Sequence, residues 1–228
     1  MKPRAKILTL DDHDRVTAAV AFAEGHTSGE IATVVAGRSS RYADIALWWA
    51  LGIGLLALAV VLGFADFYRS LAHWAFGDWG AELSPASERA LLFFFVVAKA
   101  GGTWVILLWR PLRLWLTPRA VKRERVRQAA IDAFRVGVEA RTTGRTGVVV
   151  YLSMDEHMAE IVADAAIHGK VADAVWGDAM VALVDAARDG RPGDGIVAAV
   201  RQIGAILADH FPLGAHDHNE LPDRLVEL

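Results

Sequence analysis

The chain has 228 residues, a formal net charge of −3 and no cysteine. The near-balanced charge gives no indication of nucleic-acid binding, and the lack of cysteine excludes disulfides and thiolate metal sites. Residues 45–109 are dominated by two long apolar stretches, which leaves enough chain for one ordinary soluble domain but hardly for two.

The first forty residues predict one helix and one strand. Thr9 and the acids after it precede apolar residues spaced three and four apart, and Gly25 follows the last of them, which is typical of a capped helix. A turn at residues 26–30 then leads into a β-branched run ending near Ala36. A helix and a single strand cannot bury their own surface, so we expect residues 1–42 to be the first part of a domain that is completed later.

Residues 43–116 predict a transmembrane hairpin. Residues 45–64 contain no charge, and residues 90–109 contain only one, Lys99. A helix rises about 1.5 Å per residue, so twenty residues just cross a hydrocarbon core of about 30 Å. The intervening residues are expected to form an external loop.

Basic residues predict the orientation of this hairpin. The loop carries two, Arg69 and Arg89, whereas seven follow the second stretch within residues 110–127. Because basic residues near membrane ends favour the cytoplasmic side, both termini are expected in the cytoplasm of a bacterium, with the hairpin in its inner membrane. The lipid bilayer and other membrane proteins are the expected partners.

Lys99 is the unusual residue of the second stretch. A cation within a span is costly, so it predicts pairing with a partner protein or a polar path, and Gly101 and Gly102 beside it would allow a second helix to approach closely. The alternative is that the span begins later and the ammonium of Lys99 reaches the interface. The sequence favours neither interpretation.

Residues 117–212 predict the second part of the soluble domain. A helix at 119–140 with a basic first half is followed by strands near 148–153 and 158–163, a helix at 170–189, and a last helix capped by Asp194. Residues 213–228 are expected to be a mobile tail. The basic half of the first helix is expected to face anionic lipid head groups through the following side chains: Arg119, Lys122, Arg123, Arg125 and Arg127.

The order of these elements resembles the TPM domain family. The resemblance rests on residues 27–31 (TSGEI), 146–153 (TGVVVYLS), 160–164 (EIVAD), 195–200 (GIVAAV) and 219–223 (NELPD), and it covers residues 11–37 and 119–223. It implies an α/β fold, a small mixed β-sheet packed by helices, which a transmembrane hairpin interrupts in this chain. Some plant members are described as phosphatases or metal binders.

Carboxylates around the strand hairpin are the candidate site for a hard cation, Ca²⁺ or Mg²⁺. The candidate ligands are Glu30, Asp155, Glu160 and Asp164, with Glu156 at the same turn. The alternative is a polar turn and a solvated strand face. A zinc site in the tail, using His210, His216, Asp217 and His218, is less favoured than an irregular tail.

The chain lacks the common enzyme motifs, including GxGxxG after a strand, GxxxxGK[ST], HExxH and GxSxG, and no catalytic residue can be named. We therefore expect a membrane protein with a cytoplasmic TPM-like domain that serves protein interaction or membrane assembly. The alternatives are a divalent-cation-dependent phosphatase, which follows from the family resemblance alone, and an accessory subunit of a transporter or channel.

Overall fold

The computed structural model describes residues 7–76, 84–139, 146–171, 173–214 and 225–228. The chain divides into two compact units, of which the first combines Met1–Ser40 with Arg119–Leu228 and the second is Arg41–Pro118. The described helices are, in chain order, α1 (Leu10–Glu24), α2 (Ala43–Gly63), α3 (Ala65–Phe76), α4 (Pro85–Ile106), α5 (Arg110–Leu116), α6 (Arg119–Phe134), α7 (Ala165–His168), α8 (Gly177–Arg188) and α9 (Pro192–His210).

The first unit is built on a mixed sheet of four strands. They are β1 (Glu30–Ala36), β2 (Gly147–Ser153), β3 (Met158–Ala163) and β4 (Val226–Glu227), in the spatial order β3-β2-β1-β4. β1 pairs in parallel with both β2 and β4, whereas β2 and β3 form an antiparallel hairpin. The α/β fold with a small mixed sheet, predicted from the sequence, is confirmed.

Helices cover both faces of this sheet. On one face, Ile31 and Val150 belong to a core shared with α1, α8 and α9. On the other face, Val149 and Tyr151 belong to a second core with Phe134 and the other buried side chains of α6. Because β2 is buried on both faces, its sequence is a continuous apolar run rather than an alternating one.

The helix predicted after Thr9 is confirmed, and its start is fixed by a capping box. The Thr9 hydroxyl accepts a hydrogen bond from the Asp12 backbone N–H, and the Asp12 carboxylate accepts one from the Thr9 backbone N–H. Further along the chain, α1 crosses α9 so closely that a Cβ on Gly204 would lie 2.6 Å from the Cβ of Ala23. Only glycine permits this separation of the two helices.

The region expected to be one helix at 170–189 is divided. Asp164 caps the short α7, a 3₁₀ turn occupies Asp173–Trp176, and the long helix begins only at Gly177. These short turns bring Ile167, Val171 and Trp176 into the core, so burial determines the chain path here rather than helical periodicity. Asp194 does not cap α9, which begins at Pro192.

The end of the chain differs from the predicted mobile tail. Val226–Glu227 forms β4, the Leu228 backbone N–H donates to Val35 O at 2.9 Å, and Leu225 is buried. Residues 226–228 therefore extend the sheet, because their backbone groups pair with the otherwise unpaired edge of β1. Residues 215–224 lie outside the described part of the chain.

The second unit contains two helices, α2 and α4, that are long and apolar enough to cross a membrane. They pack against each other where Gly54 meets Ala100, and a Cβ on Gly54 would lie 3.2 Å from the Ala100 Cβ. α4 begins earlier than the predicted second stretch because Ser84 caps it and Pro85 occupies its first turn. The region expected to be an external loop contains a further helix, α3.

Candidate functional site

A buried polar cluster lies where β1 and β2 end, at the same edge of the sheet. It consists of Ser39, Tyr151, Ser153 and Glu156. Ser39 Oγ donates to Ser153 Oγ at 2.9 Å, and Ser153 Oγ donates in turn to the Glu156 carboxylate through a short hydrogen bond. That carboxylate also accepts from the Ser39 backbone N–H at 3.1 Å. The cluster thus fixes the chain just before Arg41, where the second unit begins.

Tyr151 begins this chain of hydrogen bonds. Its hydroxyl lies 3.2 Å from Ser39 Oγ. Because the single proton of Ser39 Oγ is given to Ser153, Tyr151 is the donor in this contact. Burial raises the pKa of Tyr151, and the negative charge of Glu156 adds to this effect. The phenol therefore keeps its proton and stays a donor at neutral pH.

The cluster is suited to holding structure rather than to chemistry on a substrate. Ser153 has no exposed surface and Glu156 is almost fully buried, so a substrate cannot reach either group in this structure. The sequence analysis assigned no role to Ser39 or Ser153. The sequence does contain a signal for their proximity. Ser39 follows β1 and Ser153 ends β2, and because these two strands pair in parallel, their carboxyl ends lie at the same edge of the sheet.

The four carboxylates predicted to bind a cation lie in three places. Glu30 and Asp164 flank Gly147 at one end of the sheet, and both are buried. Glu160 is paired with Tyr151 in the middle of β3. Asp155 follows β2 at the opposite end, about 20 Å from Gly147 at about 3.3 Å per residue. A single ion cannot contact all four.

Within the described part of the chain, no group of three or more histidine or acidic side chains is arranged to hold a metal ion. Asp164 caps α7 through Oδ1, and its buried Oδ2 has no hydrogen-bond partner among the described atoms. Glu30 and Asp164 therefore remain the part of the hypothesis that the geometry favours, and Ca²⁺ or Mg²⁺ binding stays a prediction. In the tail, His210 Nδ1 lies 2.9 Å from Ile206 O, and the other three proposed zinc ligands lie outside the described residues.

The structure places the three residues singled out in the second apolar stretch on α4. The ammonium of Lys99 lies 5.2 Å from the centre of the Phe95 ring, a cation–π arrangement within one helix. Gly101 and Gly102 have open space around them, because α2 approaches α4 at Ala100 instead. Their use by a partner helix stays a prediction.

The basic side chains of α6 lie beside its buried face. Val126, Ala130 and Phe134 of α6 pack on the sheet. Of the five predicted lipid-facing residues, four are exposed and one is partly buried: Arg119, Arg123, Arg125 and Arg127 are exposed, and Lys122 is intermediate. Their contact with lipid stays a prediction.

The carboxylate of Glu227, which the sequence analysis did not single out, connects the two ends of the first unit by hydrogen bonds. Glu227 of β4 accepts hydrogen bonds from the backbone N–H groups of Ile7 and Leu8 and lies 2.8 Å from His13 Nε2. Burial alone would raise the pKa of Glu227, but these hydrogen bonds outweigh it and hold the pKa below its usual range.

This depressed pKa predicts a pH dependence of stability. A carboxyl group whose pKa is lower in the folded state stabilises the fold above its unfolded pKa of about 4.3, and that contribution is lost as the pH falls through the folded value. The stability of the first unit should therefore fall less steeply below about pH 5 in Glu227→Gln than in the wild type. Thermal unfolding of the detergent-solubilised chain at a series of pH values measures the difference, and identical slopes would contradict it.

Comparisons with known proteins support the fold and the family. Residues 116–206 match the TPM domain family. The chain is similar to the BA42 protein from the psychrophilic bacterium Bizionia argentinensis, whose NMR structure superposes with a TM-score of 0.56 and 17% sequence identity, covering 100% of both chains. At this identity the likeness establishes the fold alone. A search of curated proteins finds no match. The family match runs from the end of α5 through α6, the β2–β3 hairpin, α7 and α8 to most of α9, and over this segment the chain carries a TPM domain.

Proposed function

We propose that this protein is an integral protein of a bacterial inner membrane, in which α2 and α4 cross the bilayer as a hairpin. The first unit, named the TPM unit because it contains most of the segment that matches the TPM domain family, lies in the cytoplasm. The observation that carries the proposal is the exposure of the apolar side chains of these two helices. A core helix of a soluble protein buries most of its apolar side chains, whereas α4 has none buried and α2 only a few. Exposed leucine, phenylalanine and tryptophan side chains surround both helices.

The role we propose for the TPM unit is interaction or assembly at the membrane surface. Two features support this role. The exposed arginines of α6 follow α5 directly, at the point where the chain leaves the second unit, and basic residues beside a span attract anionic lipid. The cluster of Ser39, Tyr151, Ser153 and Glu156 holds the segment that precedes Arg41 at the edge of the sheet.

A matched pair of substitutions tests the membrane assignment. Leu55 in α2 and Leu10 in α1 are exposed to nearly the same extent, 66% and 68%. If α2 lies in lipid, Leu55→Asp buries a carboxylate in hydrocarbon at a cost of about 2.5–3.5 kcal/mol, whereas Leu10→Asp remains in water. Membranes of expressing cells are washed with alkaline carbonate and the retained protein is quantified.

The wild type and Leu10→Asp should stay in the membrane pellet until detergent is added. Leu55→Asp should be lost from the pellet to a clearly greater extent. Release of the wild-type protein by carbonate, or equal retention of the two variants, would contradict the membrane assignment.

A further inference from the structure

The helix between the two proposed spans, α3, has an apolar stripe that no described side chain covers. Phe67, Leu71 and Trp74 are spaced four and three residues apart and therefore share one side of the helix. All three are exposed, Trp74 to 80%. Sequence reasoning treated this region as a loop, so the stripe has no role in the function proposed above.

A second side of α3, which carries Tyr68 and Arg69, contacts α4. The ring of Tyr68 lies 5.7 Å from the ring of Phe95, measured between centroids. Arg69 lies 3.1 Å from the Asp66 carboxylate and 3.9 Å from the Glu88 carboxylate. These contacts fix the rotation of α3 about its axis, and the stripe consequently points away from the contact with α4.

The position of α3 along the hairpin follows from its neighbours. Phe64 alone separates it from the end of α2, and Glu88 lies in the first turn of α4. α3 is thus located at the closed end of the hairpin, where one proposed span ends and the other begins. The charged side chains Asp66, Arg69 and Glu88 require water at this level, whereas the exposed stripe requires an apolar surrounding.

We propose that α3 lies in the boundary between head groups and acyl chains of the bilayer, with Phe67, Leu71 and Trp74 in the acyl region. Lipid is the occupant that the observations favour, because the stripe directly follows a proposed span along the chain and the residues before it, Leu62 and Phe64, are also exposed and apolar. Tryptophan is also the side chain most suited to such a boundary. Since Asp66 and Arg69 balance each other, the attachment is apolar and does not depend on anionic lipid. This inference rests on the membrane location proposed above.

Single cysteines test the inference cleanly because the chain has none of its own. Leu71→Cys places a probe on the stripe, and Asp66→Cys places one on the polar side of the same helix. Each full-length variant is labelled with an environment-sensitive nitrobenzoxadiazole dye and reconstituted into phosphatidylcholine vesicles, with and without added phosphatidylglycerol. Quenching is measured with iodide in the water and with nitroxide-labelled lipids in the bilayer.

The dye at position 71 should be several-fold less quenched by iodide than the dye at position 66, and several-fold more quenched by nitroxide lipids, equally in both lipid mixtures. Equal iodide quenching at the two positions, in vesicles that retain the protein after carbonate washing, overturns this inference and leaves the membrane assignment intact. Protection of position 71 without nitroxide quenching means that a second copy or another part of the protein covers the stripe, and it also overturns the inference. Release of the protein by carbonate overturns both this inference and the membrane assignment.

Discussion

Replacing Trp176 with alanine should destabilise the TPM unit by about 3–5 kcal/mol, the cost typical of removing a buried aromatic side chain. Trp176 is only 3% exposed and belongs to the core between the sheet and helices α1, α8 and α9. Domains of this size are stable by only about 5–15 kcal/mol, so this one substitution removes a large fraction of the total.

Amide hydrogen exchange in β2 measures this effect without interference from the second unit. The β2 residues are fully buried, so their amides are expected to exchange through unfolding of the first unit. A loss of about 3 kcal/mol corresponds to a rise of about a hundredfold in their exchange rate. Val175→Ala is the matched control, because Val175 is the preceding residue and is 47% exposed. Similar exchange rates in the two variants would show that Trp176 is not a core residue.

Glu156→Ala should be the second most damaging substitution, although the residue lies in a turn. It removes the acceptor for the buried Ser153 hydroxyl and for the partly buried Ser39 backbone N–H. An orphaned buried donor costs about 1–3 kcal/mol, so we expect a loss of about 2–4 kcal/mol in total.

Asp155→Ala provides the control for Glu156→Ala, since Asp155 is the preceding carboxylate and is exposed. It should change the free energy of unfolding by less than about 0.5 kcal/mol. The amide hydrogen exchange rates of β2 are measured in both variants. If Glu156→Ala exchanges no faster than Asp155→Ala, the cluster does not hold the edge of the sheet.

Much of the fold could be predicted because its signals are local. The capping box at Thr9 defines the start of α1, and the apolar run at 148–153 defines the central strand, which is buried on both faces. The apolar stretch 45–64 matches α2 within two residues at each end, because its composition alone determines both its length and its character. In each case the residues that carry the signal are neighbours in sequence.

The missed features depend on contacts between distant residues. α3 has only twelve residues, and its apolar stripe follows directly on an apolar span, which hides the periodicity. β4 has two residues and exists only because β1 offers it an unpaired edge. The cluster of Ser39 with Ser153 and Glu156 joins positions more than a hundred residues apart, which the parallel pairing of β1 with β2 brings together.

The predicted cation site was also limited by contacts between distant residues that the sequence does not show. Alternation along the predicted strand put Glu160 and Asp164 on one face, because side chains alternate with a period of two, but β3 ends at Ala163 and Asp164 caps α7 instead. It could not show which carboxylates of different strands lie near each other, since that depends on the register of β1 and β3 against β2. Glu30 and Asp164 on either side of Gly147 are the pair that the register brings near each other.

The most direct test of the central claim is the accessibility of single cysteines from the two sides of the membrane. Asp11→Cys and Arg188→Cys place thiols on exposed positions in the two parts of the TPM unit, and Ala86→Cys places one at the closed end of the hairpin. Intact bacterial cells are treated with a membrane-impermeant maleimide, before and after permeabilisation. We expect position 86 to react in intact cells, and positions 11 and 188 to react only after permeabilisation. Reaction of all three positions under the same condition would show that the hairpin does not cross the membrane.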